Sequence, residues 1–315
     1  MLHYLARRLP AALLTIWGAS ALIFILMKMA PGNPAAVLAG PDADAETLKL
    51  INQQLGLDRP PLVQYLSWLK GVLTGDLGDS LVFHQPISTM IGASFGNTLQ
   101  LALSATVLMC VMGVGLGILG GASRLPRLRV TLDTLFSVFL ALPTYVTAVL
   151  ALVVFGVLFP NILPISGAGD FSRNPDYALK ALVLPSLALA IPHSAVVGRL
   201  LQSKMREQMK EDYVRAARAK GLSNKRIVGV HILKNSLSTA IVVIGIRFGG
   251  LLGGAVLIEA LFARNGLGQL LTTSIMNRDY FVVQDLVLFS VCVAIVMQLL
   301  SEVALAAIDP RVRLS

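Results

Sequence analysis

From Glu211 to Leu222 the chain reads Glu-Asp-Tyr-Val-Arg-Ala-Ala-Arg-Ala-Lys-Gly-Leu, a charged stretch set between two long apolar ones. These residues offer no nucleophile and base; their chemistry is recognition. The spacing predicts a short helix over 206–219 that gathers Tyr213, Ala216, Ala217 and Lys220 on one side, flanked by the charges of Glu211, Asp212 and Arg215. Small side chains keep that side flat, so another protein can approach closely. Gly221 supplies the left-handed stop. A second short helix is predicted over 224–233, with Asn235 ending it. Ten Lys and Arg between 199 and 235 would also suit anchoring to anionic lipid. The ordered Ala-Ala-x-x-x-Gly pattern favours a docking helix over a solvated basic loop.

Other charged or small residues stand inside apolar stretches, where a charge is costly and commonly functional. Arg247 is one, and Glu302 further on is its candidate partner in an ion pair; a contact from Arg247 to a substrate carboxylate is the sharper alternative. Glu259 stands at the end of the same stretch as Arg247, placed to hold a gate or to meet a soluble partner. Gly113, Gly117 and Gly121 recur every four residues, as do Gly245, Gly249 and Gly253, with Gly250 and Gly254 beside them. Small residues let helices approach within a membrane. The first set is read as static packing. The second, with Arg247, Gly249, Gly250, Gly253 and Glu259, is the candidate path or gate. His3, His84, His193 and His231 have no metal-ligand spacing, so no metal site is expected. His231 is read as a residue at a helix end. Cys110 and Cys292 lie in apolar stretches and read as small hydrophobes. No Gly-x-x-x-x-Gly-Lys-Ser/Thr loop is present, so the chain is expected to hold no ATP of its own.

The elements that must position these residues are membrane spans. Of 315 residues, 55% are hydrophobic and 14% charged, with mean hydropathy +0.74, well below the charge of a soluble domain. Six stretches approach the ~20 residues that a bilayer core requires. They run over 9–29, 99–122, 134–159, 181–197, 237–261 and 283–307, so the fold expected is an all-α polytopic membrane protein. The run after Arg7 and Arg8 is too long for a signal peptide and is kept as a span. With the N-terminus inside, Arg7 and Arg8, Arg124, Arg127 and Arg129, the ten of 199–235, and Arg311 and Arg313 all fall on the inner side. These are 17 of the 26 basic residues, which puts both termini in the cytoplasm. The net charge of +9 is spent on this bias and does not point to nucleic acid. The segment 30–98 is then a cap on the outer side. It opens on the turn Pro31-Gly32-Asn33-Pro34 and carries Leu62, Tyr65, Leu66 and Leu69 as an amphipathic helix on the membrane surface, until Gly75-Asp76-Leu77-Gly78 breaks the pattern. The layout is therefore 1–8, span 9–29, cap 30–98 and core 99–315, with the loop 199–235 within the core.

The loop resembles the cytoplasmic loop of ABC-importer permeases, Glu-Ala-Ala, three residues, then Gly. Arg215-Ala216-Ala217 and Gly221 fit it, with Arg in the Glu place, and His231 to Asn235 occupy its distal part. Further segments resemble the peptide/nickel permeases, and the first of their two permease subunits. These are Pro31-Gly32-Asn33-Pro34, Leu55-Gly56-Leu57-Asp58 with Gln64-Tyr65, and Gly75-Asp76-Leu77-Gly78 with Ser80. Later come Gly253-Gly254 with Glu259 and Phe262, Gly266-Leu267-Gly268, Arg278-Asp279-Tyr280 with Gln284, and Asp309-Pro310-Arg311. Asn33, Asn265 and Phe281 depart from the family pattern, as does the charge of Arg247. The resemblance implies the type I importer fold in a bacterial inner membrane. It implies a second homologous permease as partner, two ATPase subunits that bind ATP and Mg, and an extracytoplasmic binding protein. Its cargo would be oligopeptides or dipeptides; the alternative is nickel or a metal chelate. A membrane hydrolase would need a Ser/Lys pair, His-Glu-x-x-His or paired aspartates in the spans, and a stand-alone channel would not need a docking helix.

Overall fold

Backbone groups in hydrocarbon can bond only to one another, so apolar runs of spanning length fold as helices. The computed structural model of the protein describes residues 2–40, 43–169 and 171–308, with side chains described for 8–300 of those ranges and for Val303. Among the described residues the chain is helical apart from its turns and one isolated bridge, Asp79 to Pro86. The helices are α1 (Leu2–Met29), α2 (Pro34–Ala39), α3 (Ala45–Gln54), α4 (Pro61–Thr74), α5 (Ile87–Ala122), α6 (Pro126–Ala141) and α7 (Thr144–Val153). They continue as α8 (Pro175–Gln208), α9 (Asp212–Ala219), α10 (Asn224–Arg226), α11 (Leu233–Leu261), α12 (Leu267–Met276) and α13 (Tyr280–Ile308). Two π-helical segments, Val154–Leu158 and Ile227–Ile232, adjoin α7 and α11.

Among the described residues five helical stretches are long and apolar enough to cross a membrane, or six if one bent pair is counted as a single span. That pair corrects the third predicted span. The chain turns by 98° between α6 and the helix starting at Thr144. Pro143 causes the break: it lacks an N–H and forces Leu142 out of the helical region, to φ −86° and ψ 115°. A second correction concerns Asn235. It ends no helix, because α10, the π-turn and α11 run on without interruption from Asn224 to Leu261. His231 accordingly lies within this helix, in the π-turn. The second span also begins earlier than its apolar content suggested, at Ile87.

The chain divides into two compact units: Leu99–Arg264 with the chain from Met297 on, and Leu2–Thr98 with Asn265–Val296. In the first, α8 is the axis. Two thirds of its apolar window is enclosed, against 17–33% in the other spanning helices. Its interior prolines, Pro185 and Pro192, remove N–H donors. Pro192 leaves the carbonyl of Ala188 without its helical partner, and Thr147 Oγ1 of α7 lies 2.7 Å from that oxygen. A hydroxyl from a neighbouring helix thus repairs the ladder. The glycines of α5 meet α8 as the four-residue spacing predicts. A Cβ at Gly113 would lie 2.8 Å from the Ser194 carbonyl, one at Gly117 2.9 Å from that of Gly198, and one at Gly121 2.8 Å from Met205 Cβ. Gly198 in turn leaves room for the ring of Phe136, 2.6 Å from where its Cβ would stand.

In the second unit the segments that carried the resemblance converge. Asn33 Oδ1 accepts from Ala35 N at 2.9 Å and caps α2, so its departure from the family pattern keeps the helix start. Tyr280 Oη donates to the Pro31 carbonyl at 2.8 Å. Gly32, at φ +126°, has no room for a Cβ beside that hydroxyl. The buried carboxylate of Asp279 accepts from Ser80 Oγ and from Val82 N. On α4 the predicted apolar stripe divides: Tyr65 and Leu69 turn inward, while Leu62 and Leu66 face out. Tyr65 bonds Ser20 of α1 at 2.9 Å, and Trp68 stacks on Phe24.

Candidate functional site

The docking loop is ordered from below. Its helix, α9, is eight residues, starts after Glu211 in extended conformation and ends on a Schellman cap. Gly221 N donates to the Arg218 carbonyl at 2.9 Å and Leu222 N to that of Ala217 at 3.2 Å. Gly221 sits at φ +75°, which an L-residue adopts only under strain. The two inward residues are Val214 and Ala217, both in the main apolar cluster with Met205, Ile227 and Ile232. This corrects the predicted face: Ala217 belongs to the anchor, and Tyr213, Ala216 and Lys220 are what remains outward, with Glu211, Asp212 and Arg215 also exposed. Tyr213 Oη donates to Gln208 Oε1 at 2.8 Å and ties α9 to the end of α8. The Asp212–Arg215 contact, at 3.4 Å and fully in solvent, adds little.

Behind α9 further polar contacts brace the platform. Gln202 Nε2 donates to Asp133 Oδ1 at 2.6 Å, and Arg206 approaches the other oxygen of Asp133 at 3.6 Å. Arg124 Nη2 donates to Asn224 Oδ1 at 3.0 Å. The knob is therefore a rigid outgrowth of α8 and α11, and it leads into α11 through the π-turn. A π-turn inserts one residue per turn and re-aims the helix that follows.

Along α11 the candidate path residues share no single environment. Ile246, Gly250, Gly253 and Leu257 lie on an exposed face. A Cβ at Gly249 or Gly253 would meet nothing within 4 Å, whereas one at Gly254 would touch Leu189 of α8 at 3.4 Å. Arg247 is half-buried and within electrostatic reach of His193 of α8. The side chain of Glu302, its predicted partner, lies outside the described residues. Glu259 is fully enclosed, so it does not present itself to a soluble partner, as the sequence alone allowed.

The charge that shares Glu259's surroundings was not singled out from the sequence. Arg264 is fully buried, and its Nη2 donates to Gln100 Oε1 of α5 at 3.2 Å. Burial pushes the guanidinium below its ordinary range, and the Glu259 carboxylate opposes that shift. The five-residue spacing from Glu259 was the available signal. Asp285 was also missed: it is buried on α13 and accepts from Trp68 Nε1 at 2.6 Å. A lone acid six residues into an apolar run marks it. The second unit also holds an open cleft of about 830 Å³, lined by residues including Lys28, Arg59, Trp68, Asp76, Tyr280 and Gln284.

The described residues thus combine helices of spanning length, packed on α8 through glycines of α5, with a capped helical knob between two of them. The chain belongs to the family of binding-protein-dependent transport system inner membrane components, whose model matches residues 113–314, while the model for the N-terminal part of such membrane components matches 1–108. It is an ABC-importer permease subunit of the peptide/nickel group and a multi-pass protein of the inner membrane. It is 35% identical over 316 residues to the glutathione transport system permease protein GsiC of Escherichia coli O6:H1 and, equally, of Salmonella typhimurium, covering 99% of both chains each time. Among solved structures, the inward-facing MetNI methionine ABC transporter matches with a TM-score of 0.55 at 17% identity, over 70% of this chain and 96% of that one. A structure described as an amino acid ABC transporter with histidines matches at 0.51 and 17%, over 71% and 94%. At that identity these two speak for the fold alone.

Proposed function

We propose that this chain forms, with a second homologous permease, the path along which an extracytoplasmic binding protein's cargo crosses the membrane, and that the cargo is a short peptide. Two ATPase subunits, holding ATP and Mg, dock on the outward face of α9 and drive it from the cytoplasm; the chain contributes no cofactor. The observation that carries this reading is the Schellman-capped knob: Val214 and Ala217 root it in the core, while Tyr213, Ala216 and Lys220 are exposed towards a partner's groove. A rigid helix of this kind transmits displacement, and a nucleotide cycle supplies the bias between two states. The cargo class is supported by the relatives named as glutathione permeases, since glutathione is itself a tripeptide. The exposed face of α11 is where the second permease and the path would meet.

Co-purification and uptake test this. Gly221→Pro forces φ near −65° where the cap needs +75°, so ATPase recovery and glutathione uptake should both fall by at least about ten-fold. If the wild-type complex retains no ATPase, or Gly221→Pro leaves both measurements unchanged, the reading is wrong.

A further inference from the structure

We propose that the open cleft of the second unit is a peptide site. It takes a linear peptide of about five or six residues with free ends, the carboxylate at Arg59 and the ammonium at Asp76 and Asp79. This deepens, and rests on, the reading that the cargo is a short peptide. The cleft encloses about 830 Å³, within the range of small-ligand sites. From α4 it is lined by Gln64, Ser67, Trp68 and Gly71. Those positions recur every three or four residues, so they form one stripe and the cleft follows the helix as a groove. Both ends of the groove are fixed. A Cβ at Gly71 would stand 2.7 Å from the Asp76 carbonyl, and Asp76 N donates to the Gly71 carbonyl at 2.9 Å, which folds Asp76 onto the last turn of α4. Gln64 Nε2 donates to the carbonyls of Leu57 at 2.9 Å and Arg59 at 2.7 Å, which ties Arg59 to the first turn.

Two observations point from this groove to a ligand. The first is its charge. Arg59 precedes the first turn of α4, while Asp76 and Asp79 follow the last, and all three line the cleft. A cation at the N-terminal end and acids at the C-terminal end oppose the helix macrodipole, so the stability of α4 does not account for them. Asp58, which does suit the dipole, is not part of the cleft wall, whereas Lys28 of α1 adds a second cation to it. The 14 residues of α4 separate the two ends by about 20 Å. An extended hexapeptide covers about 20 Å and a tripeptide about 10 Å, so only the longer one reaches both ends. The second observation is Gln284 on α13, which lines the cleft at 8% exposure. Among the described residues its amide has no hydrogen-bond partner. An enclosed amide left unpaired costs free energy. It offers an acceptor and two donors, the complement of a peptide group. Trp68, whose Nε1 donates to Asp285 at 2.6 Å, gives the same cleft an aromatic wall.

Fluorescence of the full-length chain in nanodiscs tests this. The chain has two tryptophans, so Trp17→Phe leaves Trp68 alone to report on the cleft. The hexapeptide Ala-Ser-Ala-Ser-Ala-Ser should shift its emission with a Kd below about 1 mM, and the tripeptide Ala-Ser-Ala should bind about ten-fold more weakly. Gln284→Leu should weaken the hexapeptide about ten-fold. The charged ends are read by pairing ligand with variant. Amidating the carboxylate should cost about five-fold against the starting chain and nothing further against Arg59→Gln. Acetylating the amine should behave in the same way with Asp76→Asn/Asp79→Asn. Equal affinity for tripeptide and hexapeptide would overturn the proposal, as would an amidation cost that Arg59→Gln leaves unchanged. A shift caused by cargo-free binding protein, with none from peptide, would also overturn it and give the cleft to the protein partner. Glutathione uptake by the whole transporter reads the cargo class separately. Uptake without hexapeptide binding removes the site and leaves the cargo reading standing, whereas binding without uptake of any peptide removes the cargo reading alone.

Discussion

Two faces of the protein are written with the same glycine spacing and end in opposite environments. On α5, Gly113, Gly117 and Gly121 are filled by the backbone and side chains of α8 at 2.8–2.9 Å. On α11, Gly249 and Gly253 face open space. A small-residue stripe therefore states that something comes close, without stating what. On α5 the neighbour is the chain's own axis. On α11 no atom of the described chain comes within 4 Å of where a Cβ at Gly249 or Gly253 would stand. The same contrast separates α8, mostly enclosed, from the other spans, whose apolar faces are left for lipid or partners.

Substitution sharpens this comparison. The largest effect is expected at the filled face. Gly198→Leu drives a side chain into Phe136, 2.6 Å from the position of its Cβ, and should cost about 3 kcal/mol or more. Size-exclusion profiles against temperature would show the permease lost from the folded fraction, and an unshifted profile would mean that the α8 axis is not packed as described. A middle effect is expected at Thr147→Val, which leaves the Ala188 carbonyl without its 2.7 Å donor and should cost about 1–2 kcal/mol. Restoring a backbone donor with Pro192→Ala in the same chain should recover part of the loss, measured by the same melts. The smallest change in stability is expected at the open face, where Gly253→Ala should stay within about 0.5 kcal/mol. Pull-down of the second permease is the measurement that matters there. Weaker capture with an unchanged melt confirms that the face belongs to the assembly, whereas equal capture assigns it to lipid.

Legibility in the sequence followed the kind of signal. The spans were readable because each is a continuous run of apolar residues, and the stop at Gly221 because glycine takes φ +75° without a Cβ penalty. The break at Leu142–Pro143 was present as a single proline inside an apolar run. The same residue type at Pro185 and Pro192 leaves α8 unbroken, and at Pro192 the Thr147 hydroxyl donates to the orphaned Ala188 carbonyl. No local rule distinguishes these cases. Ala216 and Ala217 are identical in the sequence, and which of them turns inward depends on where Met205, Ile227 and Ile232 stand.

Arg264 and Asp285 mark the limit from the other side. Each is one charged residue near the end of an apolar stretch, where solvent-facing charges are ordinary. Their meaning lies in Gln100, 164 residues before Arg264, and in Trp68, 217 residues before Asp285. By itself, then, composition and periodicity settled that the chain is a bundle of spans with a capped basic knob, because hydrophobic length and glycine stereochemistry are local properties. Tertiary structure decided which glycines are filled, which proline bends the chain and which charges are buried, because each of these depends on the neighbour that long-range folding brings alongside.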